Sequence, residues 1–371
     1  MNAKTSQKEP LVVVLGAGAT RACSFVDSKK FTCLPPLDSD FFTQLQRVPD
    51  HKHRQLVTAI VKDTVDLFGH NFALTLETAF TTVEHSLRML EATRSSSATS
   101  RKKELRGQRD RLLSALSMVL EASLADRNSG RPTHEARDCN HHQKLVCEVL
   151  QQGDAVISFN YDCMIDDALR RHGAGKWNAR YGYGFKLGPR GADLKGDAYW
   201  CPREPNGGSL ASDKDSTIRV HKLHGSLHFR FEEPTGRARR KTRPCVVLKS
   251  RPYTKQRGTP RFSIIPPESS KAYDEGLFAG LWRGAAQSLS GAKHLVVIGY
   301  SFPATDLHSA SLFRNSLKRD SLRSLVVVNP DREARRRARE VMRRGFSTDT
   351  RVLSFDSMDE FLATQTTVWR E

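Results

Sequence analysis

Six short apolar runs constrain this 371-residue chain more than any other feature. They lie at residues 11–15, 155–159, 218–223, 294–298, 324–328 and 351–354, are rich in Val, Ile or Leu, and close on Gly, Asn, Ser or Pro chemistry. Runs of this length, apolar on both faces, read as strands buried in a parallel sheet. Helical patterns follow several of them, at 162–171, 305–317 and 331–344. The alternation predicts an α/β fold, Rossmann-like and doubly wound, around a mainly parallel sheet of about six strands. Ligands of such folds bind outside the carboxyl ends of the strands, so the residues that follow each run are the first candidates for a site.

About 140 residues separate Leu15 from Ala155, whereas a parallel crossover needs only about a dozen. Residues 38–151 therefore read as a helical insertion within one domain spanning 1–371, folded over the nucleotide site. Asp38 and Ser39 can cap a helix before Phe41, Phe42 and Leu45. Leu74, Leu76, Phe80, Val83, Leu87 and Leu90 form a helical face; a Ser-rich break at 95–100 then precedes a basic helix at 101–124 and another at 134–150. Residues 173–217 are glycine-rich with little periodicity, which predicts an irregular loop or small subdomain over the crevice. A third insertion at 232–267 carries short strands near 245–248 and 262–265 beside a basic hairpin.

Seven cysteines are scattered, and no two form a C-x-x-C pair. That pattern predicts reduced packing thiols and no metal, rather than a disulfide framework or a zinc ribbon. The longest apolar run is too short to span a bilayer, and a polar decapeptide precedes it, so no membrane contact and a cytoplasmic location are expected. A net charge of +18 favours polyanionic or acidic partners. The basic runs at 101–111, 237–243 and 332–344 read as solvated faces or as surfaces for non-specific DNA contact.

The strand exits carry the chemistry. Gly16-Ala17-Gly18-Ala19-Thr20-Arg21 follows the first run; glycines there let a backbone approach a pyrophosphate, although Arg21 stands where G-x-G-x-x-G has its third glycine. Asn160 and Asp162 straddle the second exit, placed to hold a carboxamide, a ribose hydroxyl or a water, while Asp162 also stands where a helix N-cap belongs. His224, followed by Gly225, ends the third run and suits a general base. Gly299, Ser301 and the nearby Asp306 follow the fourth run, and Asn329 follows the fifth, where an adenosine half could lie.

The order G-A-G, F-N-Y-D, L-H-G-S, G-Y-S and V-N-P resembles that of sirtuins and their bacterial sirtuin-like relatives, from Leu11 to about Asp331. The resemblance implies NAD as substrate. It implies Asn160, Asp162 and His224 at the chemistry, with Asp162 near the nicotinamide, and Gly16, Ala17, Gly18, Thr20, Arg21, Gly299, Ser301 and Asn329 along the rest of the dinucleotide. Deacylating sirtuins carry two C-x-x-C pairs and a Gly-Ile-Pro-x-Phe segment; this chain has neither, reading Cys33-Leu34-Pro35-Pro36-Leu37 in that region, and Phe159 replaces the Gln before the Asn. It is more similar to zinc-free sirtuin-like effectors of bacterial antiphage defence, for which the implied reaction is hydrolysis of NAD to nicotinamide and ADP-ribose. That group also implies a homo-oligomer and a separate partner such as a HerA-type ATPase. Deacylation, ADP-ribosyl transfer and a nucleotide-sensing or DNA-binding role without turnover are the alternatives.

Overall fold

The computed structural model describes residues 9–27, 29–48, 54–69, 74–91, 93, 95–125, 136–183, 217–232, 245–248, 263–264, 276–304 and 306–370. Most of the 173–217 region and of the 232–267 insertion, with the basic run at 237–243, lies outside the described residues.

Strand β1 (Leu11–Leu15) is buried along its whole length and feeds a five-residue helix, α1 (Ala17–Arg21). Helices α2 (Phe41–Gln46), α3 (Arg54–Phe68), α4 (Leu76–Glu91), α5 (Ser96–Leu124) and α6 (Asn140–Lys144) follow, α6 running into a π-turn at Leu145–Val149. The Ser-rich segment is not a break between helices. Ser95 is the N-cap of α5, its hydroxyl accepting from Ala98 N at 3.1 Å, and the serines fill the first turn. Serine ends a helix only where its hydroxyl competes with the backbone ladder; at an N-cap it starts one. The expected 134–150 helix is likewise shorter, opening at Asn140.

Strand β2 (Ala155–Ser158), helices α7 (Met164–His172) and α8 (Ala179–Gly182), and strand β3 (Arg219–Lys222) come next. Short strands β4 (Gly225–Ser226), β5 (Phe229–Glu232), β6 (Cys245–Leu248) and β7 (Ser263–Ile264) pair antiparallel as β4–β7 and β5–β6. The chain continues through α9 (Gly276–Gly291), β8 (His294–Ile298), α10 (Leu307–Ser316), β9 (Leu322–Val328), α11 (Arg332–Met342), β10 (Phe346–Phe355), α12 (Met358–Ala363) and α13 (Thr367–Arg370). Among the described residues, six strands form one sheet in the order β10-β9-β8-β1-β2-β3, parallel at every pairing. This is the doubly wound arrangement expected, with its switch point between β1 and β8.

Side chains alternate across the sheet as the pleat requires. Leu11, Val13 and Leu15 pack with Val146, Leu169 and Trp369 on one face, and Val12 and Val14 with Leu281, Leu289 and Phe313 on the other. A separate apolar cluster, including Phe41, Phe80, Leu105, Leu116 and Val119, holds the α2–α5 helices together and reaches Cys163 and Met164 at the start of α7. The helices between β1 and β2 thus have their own core, joined to the sheet beside the exit of β2. No described helix is long and apolar enough to cross a membrane.

Register brings the strand ends level. Leu15 pairs with Ser158 and Ile298, Ser158 with Lys222, and Val328 with Ile298 and Phe355. One further row of hydrogen bonds runs past the strands: Phe159 N to Leu15 O at 3.0 Å, Leu223 N to Ser158 O at 3.0 Å, Gly16 N to Ile298 O at 3.0 Å, Gly299 N to Val328 O at 2.9 Å and Asn329 N to Phe355 O at 2.9 Å. Gly16, Phe159, Leu223, Gly299 and Asn329 therefore stand in one row, and the polar residues that follow them share one edge of the sheet.

Candidate active site at the strand exits

The glycines of the first exit answer to the backbone beside them. A Cβ on Gly16 would lie 2.5 Å from Tyr300 Cα, one on Gly18 would lie 2.7 Å from Gly299 Cα, and one on Gly299 would lie 2.1 Å from Ala19 N. Gly299 also has φ +63°, a left-handed conformation in which a side chain is strained. The turns leaving β1 and β8 interlock at the switch point, and Gly18 N donates to Gly299 O at 2.9 Å. That amide is engaged within the protein. Phe302, at φ +48°, continues the strained turn.

Asn160 is buried, and its amide nitrogen donates to Gly16 O at 2.9 Å and to Thr20 Oγ1 at 3.0 Å. Both amide hydrogens are thereby committed to the glycine turn, which leaves Oδ1 as the group Asn160 presents. Asp162 is engaged on both oxygens: Oδ2 accepts from Thr20 Oγ1 at 2.7 Å and Oδ1 from Met164 N at 2.9 Å. It is placed as the turn that starts α7 and as the anchor of Thr20, each oxygen accepting one of these hydrogen bonds. Thr20 bridges the two exits, donating to Asp162 and accepting from Asn160.

His224 is buried at the exit of β3, with Nε2 3.9 Å from Asp306 Oδ2. Its ring lies edge-on to Phe159 at 5.2 Å and near-parallel to Tyr161 at 6.0 Å. Phe159 stacks on Tyr300 at 4.1 Å, and the Tyr300 hydroxyl donates to Asp306 Oδ2 at 2.7 Å. Asp306 also caps α10, accepting from Ser309 Oγ at 2.7 Å. The aromatic wall and the carboxylate are contributed by β2, β3 and β8, so the histidine–carboxylate pair exists only in the folded sheet. Asp306 stands in the sequence motif after β8, but its spacing from His224 carries no signal.

The remaining candidates sit farther along the row. Ala17 opens α1 and is exposed. Arg21 pairs with Asp40, which also accepts from Leu37 N and Gln44 Nε2, so Arg21 ties α1 to the segment before α2. The Ser301 carbonyl accepts from Arg337 Nε at 2.8 Å. Asn329 Oδ1 accepts from Asp331 N at 3.0 Å. Asn160, Asp162, Thr20 and Gly16 thus form one hydrogen-bonded group and His224 joins Asp306 beside it, whereas Arg21, Ser301 and Asn329 make contacts of their own.

Beneath the site Lys222 and Asp166, both fully buried, pair at 3.0 Å, and Lys222 also donates to the Asp162 carbonyl. Tyr183 donates to Asp166 at 2.7 Å and His228 lies 3.7 Å from it. Burial works against both charges, yet Lys222 and His228 hold the Asp166 carboxyl below its usual range, and Asp166 and Asp162 hold the Lys222 ammonium above its own. This network fixes the loop between β2 and α7 from below.

The basic run at 332–344 is amphipathic: Ala334, Ala338, Val341 and Met342 are buried, and Arg332, Arg335, Arg336, Arg339 and Arg343 line a concavity of about 780 Å³ with Glu340, Asp356 and Glu360. Several arginines there are already paired, Arg336 with Glu333 and Glu340, and Arg335 with Asp356.

A family model described as the SIR2-like domain matches residues 154–348, more than half of the chain, running from the residue before β2 into β10 and including Asn160, Asp162, His224, Gly299, Ser301 and Asn329. The glycine turn after β1 precedes the matched stretch. No curated protein matches the chain. Six parallel strands with level exits, the buried Asn160 and His224 along them and this match together place the chain in the SIR2-like family, whose members use NAD.

Proposed function

We propose that the chain hydrolyses NAD to nicotinamide and ADP-ribose at the exits of β1, β2 and β3. The observation that carries this reading is the juxtaposition of Asn160, oriented by Gly16 and Thr20, with the His224–Asp306 pair. The glycosidic bond to a positively charged nicotinamide is primed to break, so the protein has to orient the ribose, stabilise an oxocarbenium-like centre and deliver water. Asn160 Oδ1 accepts from a ribose hydroxyl or from the attacking water. As the C–N bond breaks, its electron pair leaves with nicotinamide; water oxygen bonds to the ribose carbon, and His224 accepts the proton. Asp306 faces the imidazole and stabilises its protonated form. Asp162 acts through Thr20, as a positioning residue. Gly299, Ser301 and Asn329 lie along the adenosine half, and Gly16, Ala17, Gly18 and Arg21 near the pyrophosphate.

The absence of paired C-x-x-C cysteines favours hydrolysis over deacylation. The same resemblance supports a role as an antiphage effector that depletes NAD, acting as a homo-oligomer with a partner such as a HerA-type ATPase; the +18 charge and the arginine-rich α11 suit an acidic partner or DNA. The test is nicotinamide release from NAD by wild type, Asn160→Ala and His224→Ala, with and without the neighbouring gene product. Loss of roughly a hundredfold or more in both variants is expected, since general base catalysis supplies about 10²–10⁴. Wild-type rates in both would remove the assignment.

A further inference from the structure

Cys23, Cys139 and His142 meet in the interior, although 119 residues separate Cys23 from His142. All three are buried, at 3%, 2% and 2% exposure. Cys23 follows α1; Cys139 and His142 flank the start of α6. His142 Nδ1 lies 3.2 Å from Cys139 Sγ and 3.8 Å from Cys23 Sγ, and the three atoms all fall within 4.8 Å of one another. A tetrahedral zinc with Zn–S of about 2.3 Å and Zn–N of about 2.0–2.1 Å sets sulfur–nitrogen separations of about 3.6 Å and sulfur–sulfur separations of about 3.8 Å. The observed separations bracket the first value.

We propose that Cys23, Cys139 and His142 bind one zinc ion, with a solvent-derived ligand completing the tetrahedron. Two thiolates and an imidazole are the donor set that selects zinc among the common divalent ions. Ser24, through its amide at 3.4 Å and its hydroxyl at 3.7 Å, donates to Cys139 Sγ in the manner of an outer-shell group. A second buried cluster, Cys163, Asp166 and His228, has a carboxylate in place of one thiol and holds the Lys222 ammonium on Asp166, which fills the cation's place.

The site would act as a clamp. It joins the end of α1 to α6, and Thr20, three residues before Cys23, carries the hydrogen bonds to Asn160 and Asp162. His141 reinforces the same junction, with Nδ1 2.8 Å from Ala22 O and Nε2 2.9 Å from Asp359.

Full-length protein, purified without added chelator, is assayed for metal by elemental analysis and then reconstituted with Zn²⁺ or Co²⁺ alone. About one equivalent of zinc is expected, with a thiolate-to-cobalt charge-transfer band in the cobalt form. Cys139→Ser is expected to weaken zinc affinity roughly a hundredfold or more in a chelator competition, and Cys147→Ser, an exposed cysteine outside the cluster, to leave it unchanged. Should Cys139→Ser fail to fold, the wild-type cobalt spectrum decides by itself. Absence of bound zinc after reconstitution, or a cobalt spectrum without thiolate bands, overturns the site. So does a thiol count on unreduced, denatured protein that falls short by two, which would mean a Cys23–Cys139 disulfide.

Discussion

His224 Nε2 stands 3.9 Å from Asp306 Oδ2, across a sheet in which β3 and β8 are separated by β2 and β1. The carboxylate arrives on the turn before α10 and is fixed there by Tyr300 and Ser309. In the proposed NAD cleavage its role would be to favour the protonated imidazole. Asp306→Asn is expected to slow nicotinamide release by roughly tenfold to a hundredfold, less than His224→Ala, and to lower the apparent pKa of the acid limb of the rate profile. The check is the pH dependence of the rate for wild type and Asp306→Asn; an unmoved acid limb would count against the pair.

The interlocked turns at the switch point make Gly299 intolerant of a side chain. Gly299→Ala would place Cβ 2.1 Å from Ala19 N at a positive φ, so backbone must move, and a loss of several kcal/mol is expected. Gly280 on α9 has nothing within 4 Å of a built Cβ. Gly280→Ala should therefore be neutral or stabilise by up to about 1 kcal/mol through helix propensity. Thermal melts of the two variants beside wild type measure the contrast.

Lys222 and Asp166 form a fully buried ion pair. Lys222→Met leaves Asp166 charged and uncompensated, at a cost of about 3–5 kcal/mol, while the double variant Lys222→Met/Asp166→Leu should recover much of it. The Asp166 contribution holds above about pH 4 and is lost as pH falls through its depressed folded pKa; the Lys222 contribution holds below about pH 10.4 and is lost as pH rises through its elevated one. Urea denaturation across that window, on single and double variants, tests both the magnitude and the pH limits.

His221, next to Lys222 on β3, faces the opposite side of the sheet, where it packs on Gly284 and bonds Ser288 Oγ at 3.0 Å. Burial, and then Arg219, lower its pKa to about 4. A depressed folded value means that the unfolded chain takes up the proton first, so stability is held above about pH 6.5 and falls between there and about pH 4. His221→Gln removes that titration, and its urea midpoint should vary less than wild type over this interval. Equal slopes would show that His221 does not carry the effect.

Much of the fold was legible because strands buried on both faces leave continuous apolar runs, and all six such runs entered the sheet. Their bounds shifted: the last run, expected at 351–354, is part of a strand from Phe346 to Phe355, in which the polar stretch Ser347–Thr350 separates Phe346 from the apolar run. The positions of Asn160 and His224 at strand exits were legible because each follows such a run. Asp162 was legible as a polar residue and as a helix cap, the place its Oδ1 takes on Met164 N; only the fold brings Thr20, from beyond another strand, to its Oδ2.

The sequence by itself determined the parallel α/β class, the large helical segment after the first strand, and which residues would stand at strand exits, since these follow from local periodicity and chain length. Tertiary structure alone decided what those residues touch. Asp306 reaches His224, Gly299 locks Gly16 and Gly18, and Cys139 and His142 close on Cys23 through register and helix packing between segments far apart in the chain. Such meetings depend on distances across the sheet and between helices. Residue spacing along one chain does not encode them in any local pattern.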